Sequence, residues 1–339
     1  MLAARLHAAR DVRIETVADP VAGPGEVLVR VRAVAICPSD WRLWDSGDAG
    51  GAPLAAPIIQ GHEFAGEVAS LGEGVTDLRV GARVAVDPSW HCGHCDMCAR
   101  GLFNVCRNVR FPSFPPHNGA LAELIACPRH AVYELPASMS YEEGAMVEPL
   151  GVAIHAVRLS LGAGRACPAV IVFGAGVIGL CTVQLARLRG AASITVVEPI
   201  AARREMALRY GATAALGSQA ELADADVEAE LVFECSGYSG AVAEALHAVT
   251  PAGRLMVVGI PHPETVTFEA NVPRRHELTI TFTRRSRDTL AEAVELAASG
   301  EVDLRSMPVR RFRLAEADAA IAATGERPGD MLRAIVMLG

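Results

Sequence analysis

The chain has 339 residues, of which 51% are hydrophobic and 21% charged, and a net charge of −8. That length suits two domains better than one core, and the negative balance argues against a nucleic-acid partner, which calls for concentrated positive charge. All 31 basic side chains are arginine, so Schiff-base chemistry, a Walker-type phosphate lysine and the tyrosine–lysine pair of short-chain dehydrogenases are excluded.

In chain order, the opening MLAARLHAARDVRIE alternates as a strand does and shows no signal-peptide apolar block. No apolar run approaches the roughly 18 residues that cross a bilayer, so a cytoplasmic protein without a membrane segment is expected. Residues 1–150 are rich in valine, proline and glycine, with strand-like pieces such as EVLVRVRAVAI and GEVASLG, and predict a separate, mainly β domain. Three short stretches in this region carry chemistry: AICPSD with Cys37, QGHEFAGEV with His62 and Glu63, and MVEPLG with Glu148. Cysteine, histidine and one carboxylate leave a fourth position open, as a catalytic zinc requires. Singly, each has a plainer reading: a core cysteine, a solvated turn at Gly61-His62-Glu63, a helix start at Glu148-Pro149.

Between them lies HCGHCDMCARGLFNVC, residues 91–106, with Cys92, Cys95, Cys98 and Cys106. In a reducing compartment, clustered cysteines are metal ligands or redox groups rather than disulfides. The C-x2-C-x2-C-x7-C spacing, with Gly93 and Gly101 easing the turns, lets four sulfurs surround one tetrahedral ion. Structural zinc is the expected occupant and an iron–sulfur cluster the alternative. With every position filled by protein, such an ion staples the fold and performs no chemistry.

From residue 151 the pattern changes. An apolar strand at Ala169–Phe173 leads to the turn Gly174-Ala175-Gly176-Val177-Ile178-Gly179, a helix over Leu180–Leu188, and a second strand Ser193–Val197 ending at Glu198. In such a unit glycines admit a pyrophosphate to the helix N-terminus, Val177 and Ile178 belong to the turn that receives it, and the acid receives the ribose hydroxyls. A carboxylate at Glu198 repels a 2′-phosphate and favours NAD; Arg203 and Arg204 could neutralise one and favour NADP, or be solvated residues of the next helix. Strands at 230–237, 253–260 and 277–283, with a helix over 241–249 between the first two, extend a parallel, doubly wound sheet. A helix near 289–298 and strand-like PVRRFRL and LRAIVML follow, and this tail is expected to return to the first domain.

The order of Cys37, His62-Glu63, the four-cysteine segment, Glu148-Pro149-Leu150 and the glycine turn resembles the zinc-dependent medium-chain dehydrogenase/reductase family. PPHNGALAEL, YEEGAMVEPLGVAIHAV and ICPSDWRLW are most similar to its sorbitol and xylitol (polyol) dehydrogenase branch. The resemblance implies an α/β plus mainly β fold: a GroES-like β catalytic domain over 1–150 and 284–339, bearing the zinc lobe at 91–106, with an inserted Rossmann NAD-binding domain over 151–283. It implies two zinc ions per chain, NAD, a small alcohol or polyol substrate, and a homodimer or homotetramer. The catalytic ligands carried over are Cys37, His62 and a carboxylate from Glu63 or Glu148, with the four clustered cysteines holding the structural ion. Asp40 matches the acid that orients the zinc-bound histidine. Ser39 matches the relay hydroxyl, its plain reading being a turn residue bonded to its own backbone.

The expected chemistry is oxidation of a secondary alcohol to a ketone: the ion lowers the hydroxyl pKa while the carbon bearing it gives hydride to the nicotinamide. Aminocyclitol and L-threonine dehydrogenases are alternatives within the family, and a non-catalytic NAD-binding sensor is one outside it. The pattern also departs from the family. Pro38 stands where glycine is common, and Leu43 where the polyol branch often has tyrosine. Arg42 replaces the usual histidine and cannot shuttle a proton; like Arg284 of FTRRS, it could contact substrate.

Overall fold

A computed structural model describes residues 1–49, 52–161, 169–326 and 328–339. The chain divides into two units: Met1–Glu148, Leu290–Gly300 and Leu304–Gly339 form one, and Pro149–Thr289 with Glu301–Asp303 the other.

The first unit is built on a seven-stranded sheet. Along it run, in spatial order, Val309–Arg313, Arg333–Met337, Glu26–Ala35, Glu63–Leu71, Arg83–Val86 and Val132–Glu134, while Leu124–Pro128 also pairs with Glu26–Ala35. The strand Glu26–Ala35 is central, and its pattern of buried Val27, Val29, Val31, Val34 and Ala35 follows from alternating side chains that become buried throughout near its end. A three-stranded sheet, Asp11–Thr16, Leu2–Ala8 and Ile58–Ile59, lies beside it in sequence. One apolar core joins residues from Ala3 to Leu338, so the C-terminal tail packs with the N-terminal part of the chain.

In the second unit a six-stranded sheet is parallel throughout, in the order Ala214–Leu216, Ser193–Val197, Ala169–Phe173, Ala229–Glu234, Val249–Val257, Thr279–Phe282. Numbered from Ala169–Phe173, that order is 3-2-1-4-5-6, the doubly wound dinucleotide-binding arrangement, with its switch point between the first and fourth strands. Its strands are buried on both faces, with Ile171, Phe173, Val232, Leu255 and Val257 on one and Val170, Val172, Phe233 and Met256 on the other.

Several sequence-based expectations shift. The strand expected over 230–237 ends at Glu234, because the next residues leave the ladder and donate to the Glu234 carboxylate: Ser236 N–H at 2.7 Å and Gly237 N–H at 3.0 Å. The helix after the glycine turn begins at Val177 rather than Leu180. Glu148-Pro149 does not start a helix. It lies inside one, Tyr141–Leu161, because proline there forfeits only the single bond to the carbonyl four residues back, while Ala145, Met146, Val147 and Leu150 keep the helix buried. Residues 284–289 belong to the second unit, not the first, held in part by the Thr289 hydroxyl donating to the Gly151 carbonyl at 2.9 Å. The helices Gln219–Asp224 and Ala317–Glu326 and the strand Ala214–Leu216 were not expected; the strand and first helix are too short to show a period.

Candidate active site

Cys37 follows the central strand directly. The chain leaves the sheet after buried Ile36 and turns into the helix Pro38–Ser46, with Pro38 at its first position and Asp40 at its third. Proline suits that place because no helical partner awaits its N–H, and Asp40 Oδ2 accepts the Cys37 N–H at 3.0 Å. The antiparallel register pairs Ala35 with Glu63, so the neighbouring strand begins beside Cys37. Gly61, with φ 90°, makes the turn into it; a Cβ there would lie 2.7 Å from Val34 Cγ1, so only glycine fits. The donor atoms of Cys37, His62 and Glu63 thus lie within 4.8 Å of one another.

The last strand completes the cluster. Ile335 pairs with Ala35, and Ile36 N–H donates to the Ala334 carbonyl at 2.9 Å, which sets Arg333 across from Cys37. Arg333 Nη2 donates to Glu63 Oε1 at 2.8 Å, with both side chains buried. The sequence reading missed Arg333; an arginine inside the apolar run LRAIVML was the available signal, since a charge placed on a buried strand needs a partner.

Burial and charge set the character of this cluster. Burial would depress the His62 imidazole, yet the Asp40 carboxylate, 3.3 Å from Nδ1, carries it well above its ordinary value. Asp40 is pushed up by burial but held below its usual range by His62, the Ser113 hydroxyl and the Cys37 N–H. Burial raises Glu63 against the pull of Arg333 and His62. Burial, then the Glu63 charge, raises Glu148 to about 8. Glu148 is therefore in the same electrostatic neighbourhood, while the close three-donor set uses Glu63. Three carboxyl groups, of Asp40, Glu63 and Glu148, surround one guanidinium and one imidazole, and Glu63 Oε2 is buried with no hydrogen-bond partner. A thiol, an imidazole and an unpartnered carboxylate oxygen in such a nest fit a divalent cation.

The four-cysteine segment closes on itself. The sulfur separations are 3.5 Å for Cys92–Cys106, 3.6 Å for Cys95–Cys98, 3.8 Å for Cys95–Cys106 and 4.0 Å for Cys92–Cys98. A tetrahedron with Zn–S bonds of about 2.3 Å has edges of about 3.8 Å, whereas a disulfide needs about 2.05 Å. Backbone N–H groups of Cys92 and Asn108 donate to Cys106 Sγ at 3.3 and 3.4 Å. The His94 N–H, ahead of other donors, lowers Cys92 to about 5, whereas burial pushes Cys98 up to about 12. Ionising all four thiols therefore calls for a cation among them.

In the second unit, Gly174 has φ 93° and would meet Ser236 Cα at 2.9 Å with a Cβ, and Gly179 would meet the Gly174 carbonyl oxygen at 2.0 Å. Gly176 caps the helix Val177–Leu188, and its missing Cβ faces open space. Two glycines are thus required by packing, and the third leaves room where a ligand's phosphate would approach the helix end. Val177 is buried and Ile178 half-buried in the first turn. Glu198 Oε2 accepts the Ala175 N–H at 2.9 Å and Oε1 the Ile200 N–H at 3.0 Å, tying the acid to the glycine turn. Arg204 donates to the carbonyls of Glu198 and Pro199, at 2.8 Å each, and Arg203 is half-buried on the helix Ala201–Arg209. Ser39 and Arg42 are half-buried on the helix that Cys37 begins. Arg284 is exposed in the second unit, so the two substrate candidates belong to different units.

A parallel sheet of this strand order with a glycine turn is a dinucleotide-binding architecture, and the donor set beside Arg333 suits a Lewis-acidic ion; together they define the class of metal-dependent alcohol oxidoreductases. Residues 23–137 match the model of the alcohol dehydrogenase GroES-like domain and residues 177–299 that of the zinc-binding dehydrogenases. The chain belongs to this zinc-binding dehydrogenase family, within its polyol branch, and is an oxidoreductase. Sorbitol dehydrogenase of Bacillus subtilis (strain 168) is 33% identical across 99% of this chain and 97% of its own. A probable D-xylulose reductase A of Aspergillus clavatus is 35% identical across 88% and 86%. Among solved structures, an Escherichia coli oxidoreductase/dehydrogenase of unknown specificity superposes with a TM-score of 0.92 at 31% identity, covering 100% of this chain and 99% of that one. A Sinorhizobium meliloti 1021 putative zinc-binding dehydrogenase bound to NADP gives 0.88 at 31%, covering 99% of each. An Escherichia coli CFT073 alcohol dehydrogenase complexed with NADH gives 0.90 at 25%, covering 100% and 99%.

Proposed function

We propose that the protein oxidises a secondary alcohol of a polyol, cyclitol or vicinal diol to the ketone, with NAD as hydride acceptor. The observation that carries this reading is the meeting of half-buried Cys37 with buried His62 and Glu63, with an unpartnered Glu63 oxygen and Arg333 behind it. Those three residues would hold a catalytic zinc, and the four clustered cysteines a structural one. A zinc there supplies Lewis acidity toward a substrate hydroxyl. Asp40, with Oδ1 3.3 Å from His62 Nδ1, is the acid placed to orient that ring. Arg333, bonded to Glu63, offsets part of the rise that burial imposes on that carboxyl. Glu148, raised to about 8, is a buried acid able to hold a proton near neutrality. The Ser39 hydroxyl takes the proton leaving the substrate and passes it to water, since Arg42 cannot; Arg42 and Arg284 are the candidate contacts for substrate oxygens.

NAD is favoured over NADP by the Glu198 carboxylate fixed beside the glycine turn, and by Arg204 being engaged with backbone carbonyls. The turn residues Gly174, Gly176, Val177, Ile178 and Gly179, with Arg203 beyond them, would receive the dinucleotide. A cytoplasmic location is supported by thiols spaced as ligands rather than as disulfides; no helix among the described residues is long and apolar enough to cross a membrane.

A homodimer or homotetramer is supported by the edge strand Thr279–Phe282, which has one partner and an exposed Phe282. Phe282→Asp should shift the protein to a smaller species in light scattering, and an unchanged mass refutes that assembly edge. The deciding experiment for the activity is a panel of polyols, vicinal diols, aminocyclitols and L-threonine with NAD, followed at the NADH absorbance alongside a zinc count per chain. Turnover of polyols with two zinc ions per chain is expected; no response to any alcohol would overturn the reading in favour of a sensor.

A further inference from the structure

Ser113 combines a rare backbone conformation with a side chain aimed at the metal cluster. Its φ is 80°, in the left-handed region that non-glycine residues seldom occupy, and it is buried. Its hydroxyl oxygen accepts the Gly61 N–H at 2.9 Å and donates to Asp40 Oδ1 at 2.5 Å. Asp40 Oδ1 is also the oxygen that lies 3.3 Å from His62 Nδ1. Asp40 Oδ2 is taken by the Cys37 N–H, and Gly61 N–H reaches Oδ1 only at 3.4 Å. The Ser113 hydroxyl is thus the close donor that fixes the oxygen facing the histidine.

The surrounding segment is braced for this task. Gly119, Ala120 and Leu121 donate from the backbone to the carbonyls of Ile59, Gly61 and Gln60 at 2.6, 2.7 and 2.9 Å. The Phe111 ring packs 5.0 Å from that of His62. Residues 111–121 therefore strap the turn that delivers His62. Glycine would take the φ of Ser113 without strain, so what the serine adds at this place is its hydroxyl.

We propose that Ser113 is a positioning residue: through Asp40, its hydroxyl sets the His62 ring for the metal. The inference rests on the assignment of Cys37, His62 and Glu63 as a zinc site. It is tested with Ser113→Gly, which relaxes the backbone, Ser113→Ala, which keeps the Cβ, and Cys37→Ser as a control on the site itself. Zinc competition against a chromogenic chelator is followed with thermal melting and steady-state kinetics. Both Ser113 variants should bind one of their two zinc ions about tenfold more weakly, at the low end for losing an outer-sphere partner. The other ion, held by the four thiols, should be unaffected. Turnover should fall by a similar factor with KM for NAD unchanged, and Ser113→Gly, relieved of the backbone strain, should melt above Ser113→Ala. If both Ser113 variants keep parental zinc affinity and kcat while Cys37→Ser loses one ion, the role of Ser113 is refuted and the site stands. If Cys37→Ser retains both ions, the site assignment fails and this inference with it.

Discussion

Replacing Arg333 by methionine tests the physical basis of the site most directly. The change keeps an unbranched buried chain but removes the guanidinium that bonds Glu63, at 2.8 Å, where both side chains are buried. Deleting one member of a buried pair leaves an uncompensated charge and costs about 3 to 5 kcal/mol, whereas deleting both in favour of neutral groups is often close to neutral. Arg333→Met should therefore destabilise the first unit by about 3 to 5 kcal/mol, and Arg333→Met with Glu63→Gln should recover more than half of that loss. All three tryptophans, Trp41, Trp44 and Trp90, lie in the first unit. Urea unfolding followed by tryptophan fluorescence thus reports the unit containing the pair, with little contribution from the nucleotide-binding one. Additive losses in the double variant would refute the argument, because they would mean that Glu63 does not depend on Arg333 for its buried charge. A single variant within about 1 kcal/mol of the parent would do the same.

Local pattern carried the reading of this molecule where one segment suffices, and failed where two distant segments must meet. The strands Ala169–Phe173 and Ser193–Val197 fall where the apolar runs place them, because in a parallel sheet covered on both faces a strand is a near-continuous apolar stretch. The four-cysteine lobe was equally legible, its ligand geometry being confined to 15 residues from Cys92 to Cys106. Cys37, His62 and Glu63 could be named, but the preference for Glu63 over Glu148 in the close donor set comes from the Ala35–Glu63 register, a pairing no local pattern encodes. Arg333 enters through a strand 270 residues from its partner, and Ser113 through a left-handed backbone that a serine does not announce. Pro149 misled for a related reason: the rule that proline begins a helix holds for isolated segments, and burial around Met146 and Leu150 overrides it.

Three further outcomes separate the lobe, the cofactor turn and the second unit's core. Cys98→Ser should release one zinc per chain and lower the melting temperature; a fully stable variant still holding two ions would remove the staple role. Glu198→Ala should relax the preference for NAD over NADP by about 1.5 to 3 kcal/mol, the range for hydrogen bonds to a charged group, read as the ratio of kcat/KM values; an unchanged ratio refutes it. His155 is buried, and burial, followed by the charges of Arg287 and Arg158, lowers it from its ordinary 6.5 to about 4. Because the fold prefers the neutral imidazole, the stability it protects is complete above pH 6.5. That stability falls as the unfolded chain takes up a proton the folded one refuses, and the loss levels off below pH 4. At 1.36 kcal/mol per pH unit the loss reaches about 3 kcal/mol at most. His155→Gln, neutral at every pH, should flatten that part of the stability profile between pH 6.5 and 4 relative to the parent in calorimetry. Parallel profiles for the two proteins would show that His155 titrates as freely in the fold as in the unfolded chain.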